Sequence, residues 1–151
     1  MTIIGLSVNC PDDRDHISGY LAMAGFVILE SRAWFDHWVA TYNRFGVSIE
    51  NIEERFRQTF PWAFCDPIEK LIAECGSETD LILVPDIMHE TEANWIRARG
   101  FLWHVDHDGC DFLVKPKDND LVFTRDSLYQ STESMDEALL ACAGLKSTHI
   151  N

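Results

Sequence analysis

Residues 80–105 read DLILVPDIMHETEANWIRARGFLWHV, and this stretch decides the fold. The apolar run within residues 80–85 is typical of a central parallel strand, which is buried on both faces. A helix is predicted from about Glu90 to Arg99, closed by Gly100, and residues 101–105 are predicted to be the next strand. Two strands joined by a helix of this length predict a βαβ unit and a parallel sheet.

The same alternation of strands and helices continues outward in both directions. The segment DPIE at residues 66–69 predicts a helix start, because Asp caps the helix, Pro fits the first turn and Glu follows three residues later. Gly25 is placed as the cap that ends a helix over residues 17–24. Further strands are predicted at residues 3–6, 26–29 and 121–123, and further helices at residues 31–42, 48–60 and from 134 onward.

Length and composition predict one cytoplasmic domain. The chain has 151 residues, which suits a single core, and it contains no apolar run long enough for a bilayer. Its N-terminus lacks the pattern of a signal peptide. The five cysteines show no CxxC spacing, so we expect free, mostly buried thiols; they are Cys10, Cys65, Cys75, Cys110 and Cys142.

The formal net charge of −13 indicates which partners the surface attracts. Such a surface repels nucleic acid and free nucleotides unless a basic pocket or a metal offsets it. We therefore expect no nucleic-acid partner and favour a protein partner with a basic surface. A strongly charged surface also serves solubility alone.

The order and spacing of these elements resemble the phage deoxynucleoside monophosphate kinases, a branch of the P-loop kinases. Residues 3–7 match that family's first strand, and Arg14-Asp15-His16 lies where the family has Lys-Asp-Thr. Residues 83–93 resemble its segment Asp-Val-Arg-Phe-x-x-Glu-Ala with the strand before it, and residues 120–141 resemble its last strand, turn and helix. The resemblance implies a three-layer α/β fold with a central, mostly parallel sheet flanked by helices. It also implies one domain over residues 1–151, with 107–120 as a lid-like loop.

The phosphate-binding features of that family are missing from this chain. A P-loop binds phosphate through glycine backbone N–H groups and a lysine. Residues 8–14 read VNCPDDR and contain no glycine. Pro11 lacks a backbone N–H, and Asp12 and Asp13 place two negative charges in this segment. Met88 replaces the family's arginine for the substrate phosphate. The lid-like loop offers only Lys115 and Lys117 against four aspartates, with Asp106 just before it as a fifth. Phosphoryl transfer needs several cations around the transferred group, so these losses argue against kinase activity.

What remains is a vestigial nucleotide site, which the resemblance places at Ser7, Arg14, Asp15, Asp86 and Glu92. Asp86 at a strand end suits a base- or metal-binding carboxylate, but a capping or turn aspartate is an equally ordinary explanation. Glu92 is also explained as a surface position of a helix.

Three further features of the sequence bear on function. His104, Asp106, His107 and Asp108 have suitable types for a metal, but their spacing fits no known motif, so we predict neither a metal nor a cofactor. Cys10 lies at a helix start that favours thiolate, but the neighbouring aspartates oppose it. An aromatic stripe is either core or a possible interaction patch, extended by Trp62, Trp95 and Trp103; it consists of Trp34, Phe35, Trp38 and Tyr42.

The sequence therefore favours a non-catalytic, kinase-like protein that binds another protein. Because the family is rich in phage members, we expect a phage product that binds, and in doing so inhibits, a host protein. Two alternatives stay open: a residual nucleotide-binding enzyme of the same kinase type, and a structural subunit of an oligomer.

Overall fold

The computed structural model describes residues 1–43, 49–75, 80–107 and 111–150. Within these ranges the chain forms five strands and seven helices. The strands are β1 (Thr2–Ser7), β2 (Val27–Ile28), β3 (Leu81–Val84), β4 (Phe101–Asp106) and β5 (Leu121–Thr124). The helices are α1 (Pro11–Met23), α2 (Ala33–Asn43), α3 (Ile49–Thr59), α4 (Asp66–Cys75), α5 (Glu90–Arg99), α6 (Arg125–Gln130) and α7 (Glu133–Ile150).

The five strands form one parallel sheet in the order β2-β3-β1-β4-β5. Strand β1 is central: Ile4 pairs in register with Leu83 of β3 on one side and with Phe101 of β4 on the other. The α/β class and the parallel sheet predicted from the sequence are confirmed. The apolar composition of β1 and β3 follows from this position, because a parallel sheet with helices on both faces exposes neither face of its inner strands.

Helices cover both faces of the sheet, which gives three layers. Side chains alternate along each strand, so Leu6 and Trp103 face one core while Ile3 and Leu102 face the other. The first core is closed by α1 and α7, and the second by α4 and α5. A third, aromatic cluster joins α2 and α3 to the turn before α4, around Phe35.

Two glycines stand where the backbone needs them. Gly25 has a φ of 100°, the left-handed conformation that ends α1 and turns the chain toward β2. A Cβ on Gly100 would lie 2.1 Å from the carbonyl oxygen of Ile3, so only glycine allows α5 to end this close to β1.

Element predictions agree with the structure except at α6. This helix has six residues, too few for a hydrophobic period, and the resemblance predicted only a turn there. Its start is fixed locally, because the Thr124 side chain accepts a hydrogen bond from the Ser127 N–H at 3.3 Å. In the described part of the chain, no helix combines the length and the apolar character needed to cross a membrane.

The cysteine prediction is confirmed where it can be compared. Cys65 and Cys142 are free and buried, and Cys10 is free and half-buried. Cys75 and Cys110 lie outside the residues whose side chains the structure describes.

Candidate functional site

The strand order places a crevice at the carboxyl end of β1. The chain leaves β1 through α1, on one face of the sheet, and leaves the adjacent β3 through α5, on the other face. Loops that diverge in this way open the crevice in which α/β proteins bind their ligands. The turn at residues 8–10 and the segment at residues 85–89 form its two sides.

The start of α1 is occupied by a carboxylate of the protein itself. Asp13 is fully buried, and its Oδ1 accepts a 2.7 Å hydrogen bond from the Tyr129 hydroxyl. The Nε of Arg125, at the first position of α6, lies 3.3 Å from the same oxygen. The hydrogen bond to Asp13 and partial burial raise the pKa of Tyr129 to about 12. The second oxygen of Asp13, Oδ2, is buried and has no hydrogen-bond partner among the residues that the structure describes.

Two more side chains of metal-ligand type lie beside Asp13. Cys10 is the N-cap residue of α1 and makes no side-chain capping bond, and His107 follows the end of β4. One ligand atom from each of Cys10, Asp13 and His107 lies within 4.8 Å of the other two. His107 Nδ1 is buried and has no partner within the described ranges, whereas its Nε2 lies 2.6 Å from Nη1 of Arg125.

An acidic cleft of about 300 Å³ adjoins this turn, between α1, β2, α2 and the end of β3. Its lining includes the guanidinium of Arg14 and four carboxylates, those of Asp15, Glu30, Asp36 and Asp86. No carboxylate within the described ranges pairs with Arg14, which leaves it as the one basic group of the cleft. The surplus of acid makes the cleft a better host for a cationic group than for a phosphate.

Asp86 serves the start of α2. Its Oδ1 accepts hydrogen bonds from the Ser31 N–H at 3.0 Å and the Ser31 hydroxyl at 2.7 Å, and its Oδ2 accepts one from the Arg32 N–H at 2.8 Å. This is the capping explanation offered for Asp86 from the sequence, with the cap supplied from a distant loop.

Glu92 belongs to a buried ion-pair chain, and its explanation as a surface helix position is wrong. Its side chain is 1% exposed, and both of its oxygens accept hydrogen bonds from Arg57, at 2.6 and 2.9 Å. Arg57 and Arg32 both contact Glu53, at 3.4 and 2.5 Å, which joins α2, α3 and α5. Burial opposes ionisation of Glu53, but its bonds to Arg32 and Arg57 outweigh burial and lower its pKa.

The described part of the lid-like loop is fastened to the body of the fold. Asp120 accepts hydrogen bonds from Arg97 at 2.7 Å and from Nε2 of His104 at 2.8 Å. Val114 is buried in the core under α5, and the Asn9 side chain donates to the Asp111 carbonyl at 3.2 Å. Residues 108–110 of the predicted loop lie outside the described residues.

Burial disfavours the imidazolium form of His104 and lowers its pKa, although Asp120 partly offsets this effect. For Asp120, burial opposes ionisation, but the hydrogen bonds from Arg97 and His104 outweigh it and lower the pKa. The neutral His104 therefore donates through Nε2, and its Nδ1 has no partner.

The structure brings together some of the residues that the sequence analysis grouped and keeps the others apart. Arg14, Asp15 and Asp86 of the vestigial site meet in the acidic cleft, but Ser7 is buried at the end of β1 and Glu92 is held by Arg57. In the His104–Asp108 grouping, His104 is committed to Asp120, Asp106 is exposed, and Asp108 lies outside the described residues.

The aromatic stripe on α2 is mostly core. Phe35 is buried, which contradicts its place in an exposed patch, and Trp38 is half-buried beside it. The Tyr42 side chain is outside the description. Exposed aromatic rings occur nearby at Trp34, Phe60 and Trp62, which are 38%, 56% and 58% exposed; we call these three residues the aromatic surface.

Sequence reasoning missed the grouping of Cys10, Asp13, His107 and Arg125, because these residues come from three separate segments of the chain. The one available signal was the pair Cys10 and Asp13, three residues apart at a helix start. Comparison of the sequence with protein-family models gives no match, and comparison with curated proteins gives none either.

Proposed function

We propose that this protein is a non-catalytic binding protein on a nucleotide-kinase-like scaffold. The observation that carries the proposal is the buried carboxylate of Asp13 at the start of α1, paired with Tyr129 and Arg125. A helix start binds phosphate through free N–H groups and a favourable dipole. Here an internal carboxylate takes the favourable position, and a second anion beside it is repelled.

The arginines near the crevice support the same conclusion. Transfer of a phosphoryl group needs cations that are free to hold the transferred oxygens. Arg32 and Arg57 bind Glu53 and Glu92, and Arg97 binds Asp120. These guanidinium groups serve the fold, which favours a scaffold over a phosphoryl-transfer enzyme.

The partner we propose is a protein with a basic surface in the cytoplasm. The acidic cleft supplies carboxylates for lysine or arginine side chains of the partner, and charge complementarity of this kind speeds association. The aromatic surface supplies apolar contacts, since exposed tryptophans are typical of interface hot spots. That the protein is a phage product that inhibits a host protein follows from the family resemblance.

Affinity capture with matched variants tests the proposed partner. We expect the wild-type protein to retain a basic protein that salt releases, and Trp62→Ala to retain at least about tenfold less, as for an interface hot spot. Met23→Ala is the control, because Met23 is an even more exposed apolar side chain at the far end of α1. Equal retention by both variants, or no retained protein, contradicts the proposal. Light scattering of Trp62→Ala reveals whether the surface is instead covered by a second copy of the chain.

A second candidate, a residual nucleotide-binding enzyme, is favoured by the size of the acidic cleft. Its volume of about 300 Å³ lies at the lower end of the usual range for ligand pockets, and Arg14 remains there to meet an anion. Thermal unfolding with ATP, deoxynucleoside monophosphates and Mg²⁺ separates the candidates. A ligand at 100 times its Kd stabilises by about 2.7 kcal/mol, a rise of several degrees for a chain of this size. We expect no rise; a rise that Arg14→Ala abolishes establishes the second candidate instead.

A further inference from the structure

We propose that Cys10, Asp13 and His107 form a binding site for a divalent transition metal of the zinc type. The three side chains come from the N-cap of α1, the first turn of α1 and the end of β4. Ligand atoms from all three lie within 4.8 Å of one another, a spacing that one ion can span with small side-chain rotations. The site is separate from the acidic cleft and from the aromatic surface, so it goes beyond the proposed binding function.

Two of the three side chains carry a buried polar atom that no other described residue hydrogen-bonds. Asp13 is fully buried, yet its Oδ2 has no hydrogen-bond partner in the described part of the chain, and the same is true of the buried Nδ1 of His107. A buried carboxylate oxygen without a partner is costly, and such groups in folded proteins are normally satisfied by a donor, a water or an ion. One cation between these atoms satisfies the carboxylate and the imidazole together.

The donor set selects the class of metal. A thiolate, an imidazole and a carboxylate are the three ligand types that zinc takes, and three protein ligands leave a fourth position for water. A soft thiolate disfavours Mg²⁺ and Ca²⁺, which prefer sets of oxygen ligands.

Arg125 is the competitor that this site contains. Its guanidinium lies against Asp13 Oδ1 and His107 Nε2, where it supplies the positive charge that a bound metal ion would otherwise supply. Its side chain is 44% exposed, so it can turn outward when a metal binds. Removing this guanidinium therefore strengthens metal binding, whereas removing a ligand weakens it.

The test uses tag-free, reduced, full-length protein and two probes, Zn²⁺ by calorimetric titration and Co²⁺ by visible absorption. We expect one equivalent of Zn²⁺ to bind. With Co²⁺ we expect tetrahedral absorption bands and a thiolate-to-cobalt charge-transfer band. We expect Cys10→Ser to remove the charge-transfer band. Asp13→Asn and His107→Ala should each weaken Zn²⁺ binding more than about tenfold, because substituting even a residue that only supports the ligands lowers metal affinity by at least about that factor. Arg125→Gln strengthens it.

His37→Ala is the matched control, because His37 lies on the exposed side of α2, away from the site. It leaves Zn²⁺ affinity unchanged. Circular dichroism confirms that each variant is folded, and because Cys10 and His107 are only half-buried, their variants test the site even if Asp13→Asn unfolds. The proposal is overturned if wild-type protein binds no Zn²⁺, or if the three ligand variants bind it as tightly as wild type.

Discussion

Glu92 and Asp13 are both buried carboxylates, but they differ in how their two oxygens are hydrogen-bonded. In the region between α3 and α5, both oxygens of Glu92 accept hydrogen bonds from Arg57, whose side chain is itself largely buried. In the region at the start of α1, one oxygen of Asp13 accepts a hydrogen bond from Tyr129 and lies near the exposed Arg125, and the other has no partner among the described side chains and backbone. The first region is saturated from within the fold, while the second keeps binding capacity for a ligand.

This difference separates stability from function. A saturated buried pair contributes to the fold only while both members are present, because losing one leaves an unpaired buried charge. A carboxylate that has one unused oxygen and an exposed charged partner is less costly to disturb and is better placed to meet an ion. We therefore expect substitutions between α3 and α5 to act on stability, and substitutions at the start of α1 to act on binding.

Arg57→Met is expected to have the largest effect. It leaves the Glu92 carboxylate buried without its partner, and breaking buried pairs in this way typically costs about 3–5 kcal/mol. Urea unfolding measures the loss. The double variant Arg57→Met with Glu92→Met is the control, since an apolar pair of similar volume is often neutral. A loss below about 1 kcal/mol in the single variant, the level of a surface ion pair, contradicts the buried-pair interpretation.

Asp120→Asn is expected to have an intermediate effect. The carboxylate receives hydrogen bonds from the Arg97 guanidinium, and bonds of this charged kind contribute about 1.5–3 kcal/mol. Because Asn cannot neutralise Arg97, we expect a loss of about 2 kcal/mol at pH 7 on the same basis. An unchanged urea midpoint at pH 7 contradicts this role for Asp120.

The same group of residues makes stability depend on pH. The pKa values of His104 and Asp120 are both lowered on folding, so the unfolded chain binds more protons than the folded one as the solution is acidified. The contribution of these two groups to the free energy of unfolding is complete above pH 6.5, the unfolded pKa of His. It falls as the pH drops below that value, and it falls again below 3.8, the unfolded pKa of Asp. Thermal unfolding from pH 8 to pH 3 measures both steps, and Asp120→Asn removes the acidic one. A wild-type melting temperature that rises between pH 7 and pH 5 is inconsistent with this assignment.

The fold was predictable because its signals are local. The apolar run of β3, the Asp-Pro start of α4 and the glycines after α1 and α5 each act within a few residues. Helix α6 was not predicted, because six residues are too few to show a helical period of apolar residues.

The site was much less predictable, because its contacts are distant in sequence. Tyr129 and Asp13 are 116 residues apart, and the sequence around Asp13 does not indicate that it is buried. From the sequence, Glu92 likewise looks like a surface position of a helix. Only the fold shows that Arg57 of α3 donates a hydrogen bond to it. Residues 8–14 predicted that no phosphate-binding loop is present, but only the folded chain reveals that Asp13 is buried at the start of α1.

Arg125→Met is the smallest of these effects and the sharpest test of the comparison. It removes a charged partner from a buried carboxylate, as Arg57→Met does, yet Arg125 is 44% exposed. Asp13 also keeps the Tyr129 hydrogen bond at 2.7 Å and the favourable dipole at the start of α1. We therefore expect a loss of only about 1 kcal/mol, near the upper value for an exposed ion pair. Urea unfolding of Arg125→Met beside Arg57→Met gives both numbers under one condition. If the two losses are equal, Asp13 is a structural ion-pair residue like Glu92, and its unused oxygen no longer indicates a ligand site.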